Sequence, residues 1–347
     1  MVAMKLRYWL LGILAAGVFH NAPAQKVGTS TLQFLKVMPN ARAVAMGEAF
    51  VSVANGIDGV FWNPAGITGI QAHEASITHT LWIFDTKQNA IAYGLSLGDW
   101  GSVAGQFQFT DIGAIQETRA DHLGFVGSGS DTRYNPGLTG RTFTPMSWVL
   151  GLTYARSFTD RFSAGITGKF VYESLYNSNT AVVVVDSASR TFNTYTSAVL
   201  FDFGMRYNTG FRSIVIGASV QNFGSQIKFA EDRFSAPLVF RLGISSSLLG
   251  ENALLFNDPN NRLTLSYDIL QPNDYDQQMH IGMEYEFASM LSLRGGYKVN
   301  YDADRWTFGG GARRNFAGFL LSFDYSYGEM GTYLGQVHRV SLGVNVQ

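Results

Sequence analysis

The stretch Ser197–Tyr207, SAVLFDFGMRY, decides the fold. Val199, Phe201, Phe203, Met205 and Tyr207 occupy every second position, with Leu200, Asp202, Gly204 and Arg206 between them. Successive side chains of a strand point to opposite faces, so this reads as a β-strand with one apolar face and one wetter face. The same alternation returns later. Leu263, Leu265, Tyr267 and Ile269 are set against Arg262, Thr264, Ser266 and Asp268. Ile281, Met283, Tyr285 and Phe287 are set against His280, Gly282, Glu284 and Glu286, and Phe319, Leu321, Phe323, Tyr325 and Tyr327 against Leu320, Ser322, Asp324 and Ser326.

Runs of this kind fall at 75–83, 88–97, 102–110, 146–156, 162–174, 195–207, 212–222, 237–247, 262–270, 277–287, 291–301, 305–315, 318–327 and 337–346. Each is about ten residues long, the length a tilted strand needs to cross a bilayer. Roughly fourteen antiparallel strands, an even number, match a bacterial outer-membrane barrel. Connection lengths carry a second signal. Gly98–Gly101, Asn208–Phe211 and Ala288–Met290 are short, whereas Asp111–Pro145, Leu175–Thr194 and Phe223–Ala236 are long. Short periplasmic turns opposite long outer loops give this alternation, with Leu248–Asn261 as a longer periplasmic excursion. A soluble sandwich or propeller would also have many strands. Aromatic residues at strand ends, among them Trp82, Trp100, Trp148, Tyr207, Trp306 and Tyr327, point instead to interfacial girdles.

Composition agrees. Charged residues are 15% of the chain against roughly 25% in an average soluble domain. The chain is rich in Gly (38), Phe (26) and Tyr (16), yet its mean hydropathy is close to neutral, as alternation requires. A net charge of −1 lacks the basic footprint of a nucleic-acid binder, and without cysteine there is no disulfide or thiolate metal site. Lys5 and Arg7, the apolar run Tyr8–Phe19 and Ala22-Pro23-Ala24 read as a secretory signal, residues 1–24. The run is too short for a spanning helix, which needs about 20 apolar residues.

Between signal and strands lies Asn40–Thr68, NARAVAMGEAFVSVANGIDGVFWNPAGIT. Ala41, Val44, Ala45, Ala49 and Phe50 recur at helical spacing, and Pro64 forces a turn at Asn63–Gly66. Small residues suit an element enclosed on several sides, so residues 25–74 are expected to form a helical or coil hatch inside the barrel of residues 75–347. Inward positions of the early strands, such as Ala92, Gly94, Ala104 and Gly165, leave room for it. The later strands turn charges inward: Asp268, Glu284, Arg294, Arg313, Asp324 and Arg339. These either form cross-strand ion pairs that stiffen a polar interior or line a charged, water-filled pathway.

Catalysis finds little support. The six histidines show no metal-ligand spacing, and no HExxH, G-x-S-x-G or P-loop occurs, so neither an enzyme nor a metal or other cofactor is expected. Asn257–Asn261 and Asp302-Ala303-Asp304 read as turns. Val182-Val183-Val184-Val185 in a long outer loop needs cover, either as a hairpin strand above the membrane or as a surface that docks a partner.

Ala41-Arg42-Ala43 with Met46-Gly47-Glu48-Ala49, followed by Phe61-Trp62-Asn63-Pro64-Ala65-Gly66, resembles the PorV/PorQ family of outer-membrane proteins, relatives of the FadL transporters. The resemblance implies a hatch folded into the lumen, with Arg42, Gly47, Trp62, Asn63, Pro64, Ala65 and Gly66 as its family motif. It also implies a component of the type IX secretion system, embedded in outer-membrane lipid, that binds secreted cargo and passes it to translocon or attachment subunits. The alternative is a FadL-like transporter of hydrophobic molecules such as long-chain fatty acids, released laterally past the hatch. The inward charges favour the first expectation.

Overall fold

A computed structural model describes residues 28–176, 180–185 and 188–346. The expected signal sequence lies outside the described residues. Fourteen strands close into one antiparallel barrel. They are β1 (His73–Leu81), β2 (Lys87–Ser96), β3 (Ser102–Asp111), β6 (Met146–Ser157), β7 (Phe162–Ser174), β10 (Tyr195–Asn208), β11 (Val215–Phe223), β14 (Val239–Leu249), β15 (Asn261–Pro272), β16 (Gln278–Phe287), β17 (Leu291–Val299), β18 (Trp306–Phe316), β19 (Phe319–Glu329) and β20 (Gln336–Val346). The remaining strands pair off as hairpins in three long loops: β4 (Ile115–Val126) with β5 (Arg133–Phe143), β8 (Thr180–Val185) with β9 (Ala188–Asn193), and β12 (Ile227–Phe229) with β13 (Asp232–Phe234).

Closure comes from β1 against β20, in register from His73↔Val346 to Leu81↔His338. Closure removes the free sheet edge from the hydrocarbon, since each of the fourteen strands has a paired neighbour on both sides. Alternation sets the faces. On β10, Val199, Phe201, Phe203, Met205 and Tyr207 are exposed to lipid, while Leu200 and Asp202 are buried inside. The three hairpin loops lie on one side, and the turns at 97–101, 158–161, 209–214, 288–290 and 317–318 on the other, which makes the hairpin side the outer one. Trp148, Tyr172 and Tyr195 stack at centroid distances of 5.6 and 6.1 Å near the outer strand ends, an interfacial girdle. The chain is thus a multi-pass outer-membrane barrel.

Residues 28–70 run down the lumen from the outer side to the start of β1. The expected helical or coil hatch forms with little regular helix. Only two short helices form, α1 (Ala41–Ala45) and α2 (Gly59–Trp62), with 3-10 turns at Gln33–Lys36 and Pro64–Gly69. Gly47 and Glu48 adopt positive φ of 64° and 63°, which ends the helical path after one turn. Backbone polar groups that a helix would pair internally are met by inward barrel side chains. Ala41 N donates to Ser341 Oγ (2.9 Å), Gly47 N to Thr307 Oγ1 (2.9 Å), and Phe50 N and Val51 N both to Asp268 Oδ2 (2.8 Å). Gln88, Gln106 and Gln221 donate to the carbonyls of Val37, Val60 and Phe61.

Candidate functional site

The lumen has two sides of different chemistry. Along β15–β20, charges dominate and they grip the hatch. Arg42 makes a two-pronged pair with Glu284 (Nε–Oε1 2.9 Å, Nη2–Oε2 2.7 Å) and also lies over the Phe50 ring. Glu284 also accepts from Arg294 (2.6 Å), which in turn reaches Asp324 (2.6 Å). Lys298 bridges hatch residue Glu48 (2.7 Å) and Asp304 (2.5 Å). Lys298 and Arg241 hold the Glu48 carboxyl below the usual range in spite of its burial. Arg313 pairs with Glu286 (2.8 Å). Arg339 is buried with its guanidinium over the Trp82 ring at 5.0 Å, and among the described residues it forms no ion pair.

The motif residues sit where the hatch meets the wall. Trp62 is fully buried, edge-on to Phe50 at 5.9 Å and beneath Arg241 at 5.2 Å. Asn63 Nδ2 donates to Val51 O (2.8 Å) and to Met205 O of β10 (3.0 Å), and its Oδ1 accepts from Ala65 N. Pro64 starts the 3-10 turn against the wall at Gly165 and Gly204, and Ala65 is fully buried. A Cβ on Gly66 would stand 2.7 Å from Ala54 O. Gly47 and Gly296 approach so closely that a Cβ on Gly296 would lie 2.0 Å from Gly47 N. The inward glycines of the later strands were the signal for this contact, and the sequence reading passed over them in favour of the charges.

Across the lumen, along β6, β7 and β10, an apolar cluster sits among buried Ser, Thr, Lys169 and Asp202 side chains. Val149, Val171, Leu200, Ile227 and Ala236 pack with Leu32 and Leu35 of the chain's first described segment, and Ala198 packs against them. The barrel wall is incomplete here. β10 pairs with β7 over its length from Tyr195 to Tyr207, but with β11 only from Phe201 onward. The register slips between Phe201 and Phe203, and Asn222 takes φ +62° in the bulge. A polar knot fixes that bulge: Asp202 accepts from Asn222 N (2.7 Å) and pairs with Lys169 (2.8 Å), whose Nζ also donates to Asn222 Oδ1 (2.6 Å). A bulge bends its strand, and β11 turns away from β10 above it.

A cleft of about 510 Å³ lies between the start of β10 and the loop segment that follows β11, lined by Tyr195–Val199 and Ser225–Lys228 together with Asn193. Its only side-chain bridge among the described residues is Thr196 Oγ1 to Lys228 O (3.0 Å). The cleft and the apolar cluster share Ile227 and Ala198. Tyr195 belongs to the outer girdle, so the cleft opens at the level of the outer leaflet.

The periplasmic mouth is different again. Below the hatch a cavity of about 500 Å³ is lined by polar and charged groups, including Arg42, Asp58, Glu74, Arg206, Glu286 and Arg313. Asp58 accepts from Asn40 Nδ2 (2.6 Å); burial pushes its carboxyl up to about 6, against the pull of Arg42. Val182–Val185 lie in β8 of an outer hairpin, where Val182 is exposed. Among the described residues no cluster of three or more His, Asp or Glu could hold a metal ion.

No protein-family model and no curated protein matches this sequence. Solved structures do match. The CymD monoaromatic hydrocarbon channel shares 10% identity at a TM-score of 0.54, over 89% of this chain and 96% of that one. The Pseudomonas putida toluene transporter TodX shares 12% at 0.52, over 87% and 96%. A Pseudomonas aeruginosa FadL homologue shares 11% at 0.50, over 89% and 98%. These findings correct the expectation of a type IX secretion component that binds cargo and translocon subunits. The proteins that share the fold are described as hydrocarbon channels and transporters, and of the charges taken as favouring secretion Glu284 and Asp268 hold the hatch while Arg294, Asp324 and Arg313 pair within the wall. At these identities the likeness is one of fold.

Proposed function

We propose that this barrel is a conduit for small hydrophobic molecules, which reach the apolar side of the lumen from the outer loops and leave sideways into the outer leaflet between β10 and β11. The cleft beside the Leu200–Ile227 cluster is the observation that carries the reading. It joins an apolar cluster of the lumen to the bilayer at a place where, among the described residues, a single side-chain hydrogen bond spans the two segments. Straight passage to the periplasm is disfavoured on physical grounds. A hydrocarbon crossing the charged vestibule would keep its surface in water, at about 25 cal/mol per Å² relative to an apolar surrounding. The similarity in fold to channels described as carrying toluene and other monoaromatic hydrocarbons supports the same reading.

The native chain has no cysteine, so an engineered pair is unique. Thr196→Cys with Lys228→Cys, oxidised to a disulfide, is expected to stop toluene uptake by cells that depend on this protein, and reduction to restore it. Uptake at an unchanged rate through the cross-linked barrel would rule out the lateral route.

A further inference from the structure

Residues 250–260, GENALLFNDPN, join β14 to β15 on the periplasmic side, where the other barrel turns are short. Leu254-Leu255-Phe256 stand in the middle of this excursion, with Glu251 and Asn252 before them and Asn257, Asp258 and Asn260 after. Gly, Asn, Asp and Pro are what a chain reversal in water needs, and the excursion has them at its ends. The three apolar residues between them serve no turn.

The segment doubles back along the end of β14. β11 pairs with β14 only as far as Val215↔Ser245, so the last residues of β14 have no strand beside them on that side. The excursion supplies the missing partner. Leu254 N donates to Ser247 O (2.8 Å), and Leu255 N and Phe256 N donate to Leu248 O (3.2 and 3.1 Å). Gly250 N in turn donates to Phe256 O (3.2 Å). Ala253 is buried, and its carbonyl accepts from Arg212 Nη1 of the β10–β11 turn (3.5 Å). At the return to β15, Asp258 Oδ1 accepts from Asn260 N and Asn261 N (2.8 and 3.0 Å), and Asn260 O accepts from Ala288 N of the β16–β17 turn (2.6 Å). The excursion therefore continues the barrel wall and is tied to the turn on either side of it.

What this fixed backbone presents is apolar. Leu254 is 37%, Leu255 61% and Phe256 69% exposed. At the same end of the barrel, Phe287 and Leu291 close the lipid-facing rows of β16 and β17, and Phe211 stands beside Arg212; each is more than half exposed. The apolar band that meets the hydrocarbon thus runs on to the excursion. Apolar surface held open by its own backbone pairing is unfavourable in water, and the nearest apolar medium is the leaflet that already covers Phe287 and Leu291. Apolar side chains at the boundary of headgroups and acyl chains, flanked by polar residues among the headgroups, are how interfacial segments hold a membrane.

We infer that Leu254-Leu255-Phe256 is a lipid anchor, whose side chains enter the acyl region of the periplasmic leaflet and bind phospholipid there. The excursion reaches along the membrane and braces the periplasmic ends of β11 and β14 from outside. This anchor is independent of what the lumen carries.

The native chain has no cysteine, so one introduced thiol reports one position. Leu255→Cys is labelled with a nitrobenzoxadiazole fluorophore in phosphatidylcholine–phosphatidylglycerol nanodiscs, each holding one full-length barrel. Leu291→Cys is the lipid reference, and Tyr333→Cys, 95% exposed in an outer loop, is the aqueous one. Doxyl-labelled phosphatidylcholine and iodide are the two quenchers. The label at position 255 is expected to match position 291 with the doxyl lipid and to be quenched by iodide several-fold less than at position 333. The label on Asn257→Cys should follow the aqueous reference. Because a fluorophore can itself seek lipid, the bare thiols are compared too: Leu255→Cys should react with a membrane-impermeant maleimide several-fold more slowly than Asn257→Cys. Iodide quenching equal to that at position 333, or equal maleimide rates, would place the tip in water as a face for a periplasmic protein or a second copy, and would overturn the anchor. Quenching by neither agent would show the tip packed against the barrel itself, and would overturn it equally.

Discussion

The two sides of the lumen hold the same descending segment by opposite physics. On the β15–β20 side the hatch is fixed by directional, charged contacts: Arg42 to Glu284 and Arg294 beyond it, and Glu48 to Lys298. On the β6–β10 side the strap Ser30–Lys36 is held by Leu32 and Leu35 against aliphatic side chains. A buried ion pair is specific to its partner and very costly to leave half-broken, whereas an apolar contact can be taken over by any apolar molecule of similar shape. The comparison sets a part of the plug held by directional charged contacts against a part held by apolar contact.

That contrast can be broken most forcefully at Glu284. Glu284→Ala leaves Arg42 and Arg294 buried without their shared acceptor, which should cost about 3–5 kcal/mol and loosen the whole hatch. The expected readout is a lowered urea midpoint together with higher ion conductance across planar bilayers than the native barrel shows. A closed, equally stable variant would show that the charges do not anchor the hatch. A smaller effect is expected across the lumen. Leu35→Ala should weaken only the strap, by about 2 kcal/mol, so that exchange of the Leu35 and Val37 amides speeds up about 30-fold. The amides of Gly47, Phe50 and Val51 should keep their protection, since Thr307 and Asp268 still hold them. Loss of protection in both groups would mean that the plug moves as one body.

The smallest effect concerns pH. Asp58 lies in the hatch with its carboxyl raised to about 6 by burial, against an ordinary value of about 4. The folded barrel therefore keeps an extra proton between those values. The stability it contributes is complete below about pH 4 and is lost as pH rises through 6. Asp58→Asn should flatten that slope in thermal midpoints measured from pH 4 to 7, and should leave the hydrogen bond from Asn40 in place. An unchanged slope would place the titration elsewhere.

Much of this architecture was legible in the chain. Strand number, faces and the alternation of long and short connections follow from period two and turn chemistry, which are local properties. The Asn63–Gly66 turn was equally visible, because Pro64 acts on its own neighbours. The inward charges were legible as positions, and their meaning was not. Glu284 reads the same in a chain whether it lines water or clamps Arg42, because its partner stands 242 residues away. Leu32 and Leu35 read only as some apolar surface between Lys26 and Met38, and Asp274 drew no notice, since a few apolar residues and one acid in a loop carry no periodic signal. The helical spacing of Ala41–Phe50 yields one short helix, Ala41–Ala45, beyond which the barrel's side chains supply hydrogen bonds that a longer helix would have made for itself.

The sequence by itself determined a closed, outward-apolar barrel, because side-chain alternation is fixed by backbone geometry and lipid accepts only paired backbones. The tertiary structure alone decided which wall is charged against the hatch, which is apolar against the strap, and where the wall opens. Those depend on residues from distant strands meeting across a lumen, and on the single-residue slip at Asn222 that bends β11 from its neighbour.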